Sequence, residues 1–269
     1  MGEAVIVITG IAAACGVFLA LAARYLHTPP DVKLEALTAL LPGLNCGVCG
    51  GAGCADFAGM LLKNAAKPRA CPVCDEKKRR GIARFLGIAA AGEGPSRNKV
   101  ALVVCGGSDL VSQRRFTYNG IADCAAAHAV GGGDKACVYG CLGYATCALA
   151  CPAHAIEMRD GVAVVDAGRC VCCGLCVATC PRKLIRMVPS ELDAHVLCSS
   201  PEKGSVVRGV CARGCLGCRQ CVKNAPGAFT MVGGGFLAAR DYAQPPPENV
   251  LTVRGKCPGK CVQISRGEG

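Results

Sequence analysis

Cys170-Val171-Cys172-Cys173-Gly174-Leu175-Cys176-Val177-Ala178-Thr179-Cys180-Pro181 holds, in Cys170, Cys173, Cys176 and Cys180, the spacing C-x2-C-x2-C-x3-C-P. Three thiolates that close together on one loop wrap a corner of a cubic [4Fe–4S] cluster. The fourth, fixed by the proline after it, leaves that cube and ligates a neighbouring one. The run therefore predicts a second cluster and a second run of cysteines to hold it.

The second run lies just upstream, as Cys137-x3-Cys141-x5-Cys147-x3-Cys151-Pro152. Crossed ligation, as in bacterial ferredoxins, assigns one site to Cys137, Cys141, Cys147 and Cys180, and the other to Cys170, Cys173, Cys176 and Cys151. Zinc is the competing ligand, because C-x2-C pairs also bind it tetrahedrally. A zinc site needs neither the third close cysteine nor the terminal Cys-Pro.

The composition agrees with metal chemistry. The chain has 269 residues and 24 cysteines, but only 6 Phe, 5 Tyr and no Trp. So few large aromatic groups leave metal ligation to supply much of the folding free energy. Disulfides are the rival use of many cysteines and belong to oxidising compartments; the iron–sulfur spacing favours a reducing one. The formal charge of +11 treats thiols as neutral, and four clusters would bring it to about +3. The basic excess is thus mostly compensation for cluster charge. No basic patch interleaved with aromatics points to nucleic acid.

Ala4 to Ala23 is free of charged residues. As a helix it would span about 30 Å, the thickness of a bilayer's hydrocarbon core. Arg24 and Lys33 follow it and only Glu3 precedes it, which puts the C-terminal side in the cytoplasm. A cleaved signal peptide would have a basic start, which Met-Gly-Glu does not supply. The expectation is a single-pass anchor in the cytoplasmic membrane, in contact with lipid. Tyr25 and His27 would sit at the interface, Pro29-Pro30 would end the helix, and Cys15 would be a packing residue.

A further cysteine set follows. Asp31 to Leu41 reads as a short amphipathic helix stopped by Pro42-Gly43. Then come Cys46, Cys49 and Cys54 in a glycine-rich loop, a helix over Asp56 to Lys67, and Cys71-Pro72. Cys46, Cys49, Cys54 and Cys71 make a set of four ligands, which spacing alone leaves open between an iron–sulfur cluster and zinc. Cys74 is a structural leftover. Asp75-Glu-Lys-Lys-Arg-Arg80 opens a third helix running to Ala90. Its charges read as a solvated face or as a docking patch for an acidic electron carrier.

Ala91 to Ser96 reads as a linker, Lys99 to Cys105 as a buried strand, and Cys124 onward as a helix. Cys105 and Cys124 have no role at this stage beyond buried thiols. A second ferredoxin-like unit begins after Cys198. Its first run is Cys211-x3-Cys215-x2-Cys218-x2-Cys221-x3-Ala225-Pro226, with Ala225 where the crossing cysteine belongs. The partner run is gone as well, except for Cys257-Pro258. One cluster is therefore lost and the other kept, on Cys215, Cys218, Cys221 and Cys257. Cys172, Cys198, Cys211 and Cys261 are expected to be non-ligands.

The segment Leu41-Pro-Gly-Leu-Asn-Cys46-Gly-x-Cys49-Gly50, with Gly53-Cys54, behind an N-terminal apolar run resembles RnfB, the iron–sulfur component of the Rnf complex. So do Cys105-Gly-Gly, Tyr118-x-Gly120-Ile-x-Asp123-Cys124, Tyr139-Gly-Cys141-Leu-Gly143 and the paired runs. The resemblance implies that the first set holds a [4Fe–4S] cluster. It also implies an electron-relay subunit that takes electrons from soluble ferredoxin and works with other membrane subunits. That complex couples ferredoxin oxidation and NAD reduction to sodium or proton export; a related system reduces a redox sensor.

The fold expected is α+β: a transmembrane anchor over 1–28, a small helical four-cysteine module over 29–92, a central double-cluster unit over 93–190, and a degenerate single-cluster unit over 191–269. No acid–base or nucleophilic constellation is present, and no dinucleotide fingerprint, so the chain itself should not bind NAD or a flavin. The histidines at 27, 128, 154 and 195 lie in unrelated contexts. The alternatives are a zinc-stapled scaffold and a stand-alone membrane ferredoxin.

Overall fold

A computed structural model describes residues 2–25, 31–88, 99–190, 194–245 and 247–264. The anchor's end at Pro29-Pro30, His27 and the linker over 91–96 lie outside these residues; the third helix, expected to run to Ala90, ends at Phe85 with Leu86 as its C-cap.

The chain starts with α1 (Gly2–Tyr25). Its stretch Ile6–Tyr25 is long and apolar enough to cross a membrane, with a mean hydropathy of 2.5 and none of it buried against the rest of the chain. Helix α2 (Val32–Leu40) starts where Asp31 Oδ1 accepts from the Lys33 and Leu34 amides, at 3.0 and 3.4 Å. Capping of this kind satisfies N–H groups that the first turn leaves open.

Helix α3 (Cys54–Leu62) is shorter than the 56–67 expected. The chain turns at Asn64, which takes a left-handed conformation (φ 55°), and Pro68 opens a single 3-10 turn. Helix α4 (Glu76–Phe85) is capped by Asp75. Leu37, Phe57, Leu61 and Ile82 from these three helices form one core, with Val171 and Cys173 packed against it. Lys77, Lys78 and Arg80 of α4 face solvent. Arg79 instead turns back to donate to the Cys74 carbonyl through Nε and Nη2, at 2.9 and 2.7 Å.

The rest of the chain repeats one plan. Strand β1 (Lys99–Val103), helices α5 (Cys124–Ala129) and α6 (Thr146–Leu149), hairpin β2 (Ile156–Arg159) with β3 (Val162–Val165), helix α7 (Leu175–Thr179) and strand β4 (Ile185–Pro189) come first. Strand β5 (Ala194–Val196), helices α8 (Gly204–Val210) and α9 (Gln220–Asn224), hairpin β6 (Phe229–Val232) with β7 (Leu237–Arg240), helix α10 (Val250–Gly255) and strand β8 (Val262–Ile264) follow in the same order. In each half the first strand pairs antiparallel with the last, β1 with β4 and β5 with β8. Each half also has its own hairpin and its own core, around Ile156 and Ile185 in one and Phe229 and Val253 in the other. The fold is thus mixed helix and strand, and most of its buried centre is built from small residues and cysteines.

Candidate iron–sulfur centres

Cys46, Cys49, Cys54 and Cys71 line one cavity of about 280 Å³, walled by Leu41, Leu44, Phe57 and Val73. The loop before α3 is wound tightly by left-handed residues, Asn45 (φ 47°), Gly47 (φ 71°) and Gly50 (φ 94°). Asn45 Oδ1 holds the loop to the helix by accepting from the Cys54 amide at 2.8 Å. The Cys74 thiol donates to Cys71 and, against the effect of burial, brings the Cys71 thiol down to about 6; the Val73 and Cys74 amides add to this. Cys74, left over in the sequence, therefore works on a ligand from behind.

Cys170, Cys173, Cys176 and Cys151 also come together. Burial pushes the Cys176 thiol up to about 11, and the neighbouring thiols of Cys173, Cys170 and Cys151 add to it. Cys173 is raised by burial first, then by Cys151, Cys46 and Cys170. Cys151 thus stands with the run that crossed ligation assigns to it, and Cys46 of the first set is a neighbour. The Ala101 amide on β1 donates to Cys170 Sγ at 3.5 Å.

The two Cys-Pro corners share one turn. His154 and Lys183 are left-handed (φ 47° and 52°). The Ala155 amide donates to Cys151 Sγ and the Leu184 amide to Cys180 Sγ, each at 3.4 Å. Such a turn aims the sulfur away from its own run and supplies a donor to the charged thiolate.

The third expected set is only partly brought together. Cys141 and Cys180 line one cavity with Val103, Leu142, Leu184 and Ile185. Cys147 is pushed up to about 12 by burial and then by Cys141, Cys124, Cys180 and Cys176. The fourth member of this group is Cys124, which lines the same cavity, and not Cys137. Cys124 opens α5, and its amide donates to Thr146 Oγ1 at 2.7 Å while Thr146 donates to Asp123 at 2.9 Å. This clasp joins the start of α5 to α6, which carries Cys147. Cys137 instead lines a separate cavity with Cys105, Cys198 and Cys211.

The physical reason is visible at Tyr144. Helices α6, α7 and α9 each follow a left-handed residue, Ala145, Gly174 and Arg219, and each carries a buried cysteine in second place, Cys147, Cys176 and Cys221. The residues before those left-handed positions are Tyr144, Cys173 and Cys218. A tyrosine hydroxyl, here donating to Asp134 Oδ2 at 2.9 Å, leaves one corner to be filled from elsewhere. The filling residue is 20 residues upstream of Tyr144, beyond the reach of a run-based reading.

Cys215, Cys218, Cys221 and Cys257 border one cavity of about 330 Å³ with Cys261. The Cys257 thiol is drawn down to about 5 by the Cys261 thiol, whose sulfur lies 3.7 Å away, against burial and with help from nearby amides. Cys261 also acts on Cys215, which falls to about 6. Lys260, left-handed at φ 48°, repeats the corner at Cys257-Pro258. Ala225 is buried in the core of this half, and α10 stands where the missing run would be.

The linings of these sites suit iron–sulfur ligation: cysteine sulfurs face apolar cavities, and backbone amides donate to sulfur, as from Ala101 to Cys170, Ala155 to Cys151, Leu184 to Cys180 and Ala238 to Cys215.

A family profile described as “Putative Fe-S cluster” matches residues 41–73. The chain is 37% identical over 201 residues to the B-type subunit of the Na(+)-translocating ferredoxin:NAD(+) oxidoreductase complex of Acetobacterium woodii, covering 74% of this chain and 60% of that protein. It is 32% identical over 262 residues to the B-type subunit of an ion-translocating oxidoreductase complex of Methanosarcina acetivorans, covering 97% and 96%. With the proton-translocating counterpart of Clostridium ljungdahlii the identity is 34% over 212 residues, covering 78% and 74%. The chain belongs to the RnfB family, the B-type subunits of the ion-translocating Rnf oxidoreductase complexes.

Proposed function

We propose that this chain is a membrane-anchored electron carrier that takes electrons from reduced soluble ferredoxin and delivers them to the other subunits of an Rnf-type complex. That complex would couple ferredoxin:NAD oxidoreduction to sodium or proton export. Helix α1 anchors the chain in the cytoplasmic membrane, and the cysteine-bearing part lies on the cytoplasmic side. The working divisions are an anchor, a four-cysteine module, a double ferredoxin-like unit and a degenerate one, with boundaries near 28, 92 and 190.

Bound [4Fe–4S] clusters supply one-electron acceptors and donors. The chain's own residues do the rest. Four sets hold them: Cys46, Cys49, Cys54 and Cys71; Cys151, Cys170, Cys173 and Cys176; Cys124, Cys141, Cys147 and Cys180; and Cys215, Cys218, Cys221 and Cys257. The observation that carries this reading is that the first three sets abut. Cys46 and Cys173 pack against one core, and Cys147, Cys151 and Cys176 share another with Cys141 and Cys180 packed on it. Small apolar residues around Ile156, Ile185 and Phe57 exclude water, and the amides of Ala155 and Leu184 donate to the sulfurs of Cys151 and Cys180.

Purification without oxygen, with iron and acid-labile sulfide analysis and EPR of the reduced protein, tests the reading. A brown protein that takes electrons from reduced ferredoxin and co-purifies with integral subunits in mild detergent supports it. A colourless protein with about one zinc per cysteine quartet overturns it. A brown protein that never associates with other subunits makes it a stand-alone membrane ferredoxin.

A further inference from the structure

Cys105, Cys137, Cys198 and Cys211 come from four separate stretches of chain, yet all line one cavity of about 380 Å³. Two belong to each half of the repeat, at equivalent places. Cys105 follows β1 and Cys198 follows β5 at the same spacing; Cys137 precedes Cys141 as Cys211 precedes Cys215. The hydrogen bonds repeat too. The Cys141 amide donates to Cys105 Sγ at 3.3 Å, and the Cys215 amide serves Cys198. Cys137 has the amide of Tyr139, and Cys211 that of Arg213.

The seam around the cavity is stitched from both sides. The Gly106 amide donates to the Leu197 carbonyl at 3.0 Å, and Ser199 Oγ donates to the Val104 carbonyl at 2.9 Å. The Ala212 amide donates to the Val111 carbonyl at 2.7 Å. Room is kept for something other than side chains: a Cβ on Gly107 would meet Cys211 Sγ at 3.3 Å and Cys105 Sγ at 3.6 Å. Cations surround it. Lys135, fully buried, donates to the Gly107 carbonyl at 2.7 Å and pairs with Asp109 at 3.4 Å. Arg182 donates to the Cys137 carbonyl at 3.0 Å, and its buried Nε has no hydrogen-bond partner among the described residues. Burial pushes the Cys137 and Cys211 thiols up, while Arg182 opposes this at Cys137, and Lys135 and Arg213 at Cys211.

We propose that Cys105, Cys137, Cys198 and Cys211 hold a fifth [4Fe–4S] cluster on the seam between the two halves of the repeat. On transfer of a cluster with a 2+ core from a thiolate-bearing carrier, the carrier's four Fe–S bonds break and its thiolates take up four protons, while the four thiols here lose four protons and form four Fe–S bonds, leaving a net charge of −2. Lys135, Arg182 and Arg213 offset that charge. The seam lies beside Cys141 of one half and Cys215 of the other, so it joins the last set to the three that already abut. The inference rests on the iron–sulfur reading above and adds one site to it.

Full-length protein, purified in detergent without oxygen, is measured for iron and by native mass spectrometry. Five cubes give about 20 iron atoms per chain and four give about 16. The expected result is five, with about four iron atoms lost in Cys198→Ala and in Cys211→Ala. The double variant Cys137→Ala/Cys198→Ala should lose no more than either single one, because both residues serve one site. Four cubes in the wild type, or iron unchanged in Cys198→Ala and Cys211→Ala, overturns the fifth site while leaving the electron carrier intact. A zinc-loaded, colourless chain overturns both. The wild-type count decides even if a variant fails to fold.

Discussion

The amide of Cys141 donates to the sulfur of Cys105 across 3.3 Å, though 36 residues separate them in the chain. One is a ligand expected from its run; the other had no role in the sequence. The bond joins loops far apart in the chain, so the surroundings of these cysteines follow their approach in space more than the spacing of any one run.

Crossed ligation is tested at Cys180. Cys180→Ala should remove about four iron atoms from the set of Cys124, Cys141 and Cys147 and spare the set of Cys170, Cys173 and Cys176. Cys124→Ala should damage the same set. EPR of the reduced variants, resolved by signal, distinguishes the sites. Loss of the Cys170 signal in Cys180→Ala would show that each run keeps its own fourth cysteine.

Cys261 should tune rather than bind. Its thiol lies 3.7 Å from Cys257 Sγ, and a donor to a ligand sulfur favours the more negative, reduced form. Cys261→Ala should keep all iron and lower the potential of the last site on the order of tens of millivolts. Redox titration reads this. Iron lost in Cys261→Ala but kept in Cys257→Ala would reverse the two roles.

Phe57 links the first set to its core. It is 1% exposed and lines the same cavity as Cys46 and Cys71. Phe57→Ala should cost about 3–5 kcal/mol of stability in that module and reduce iron there first. Denaturation monitored by loss of visible absorbance should show an earlier phase, which a surface change such as Lys77→Ala should not produce.

Helix α1 should account for membrane attachment. Removing residues 2–25 is expected to release a brown, soluble chain with its iron content unchanged, because none of the Ile6–Tyr25 stretch is buried against the rest. Membrane fractionation checks this. A truncated chain that stays with membranes in the absence of other subunits would place the attachment elsewhere.

Much of this was legible from local pattern. The positions of α1, α2 and β1 follow from an apolar run, an amphipathic stretch stopped by Pro42-Gly43 and a bounded strand. The four cysteines at 46–71 and the four at 215–257 each face one cavity, because their ligands lie within a single wound loop and one returning corner. Tyr144 in place of a cysteine was legible, and the run offers Cys137 as the nearest replacement in sequence; the structure sets Cys124 beside Cys141 and Cys180 and places Cys137 on another cavity, a relation between loops that no single run reveals. The pairing of Cys105 with Cys198 needed the repeat of β1 and β5, which are too short and too different in sequence to announce themselves.

The clasp between Gly106 and Leu197 has a consequence for biosynthesis. Cys105 and Cys137 emerge from the ribosome well before Cys198 and Cys211, so a nascent chain presents half a seam and nothing to close it. On the proposed fifth site, the seam has all its cysteines only once the chain has been made through Cys211, whereas Cys46, Cys49, Cys54 and Cys71 are all present early.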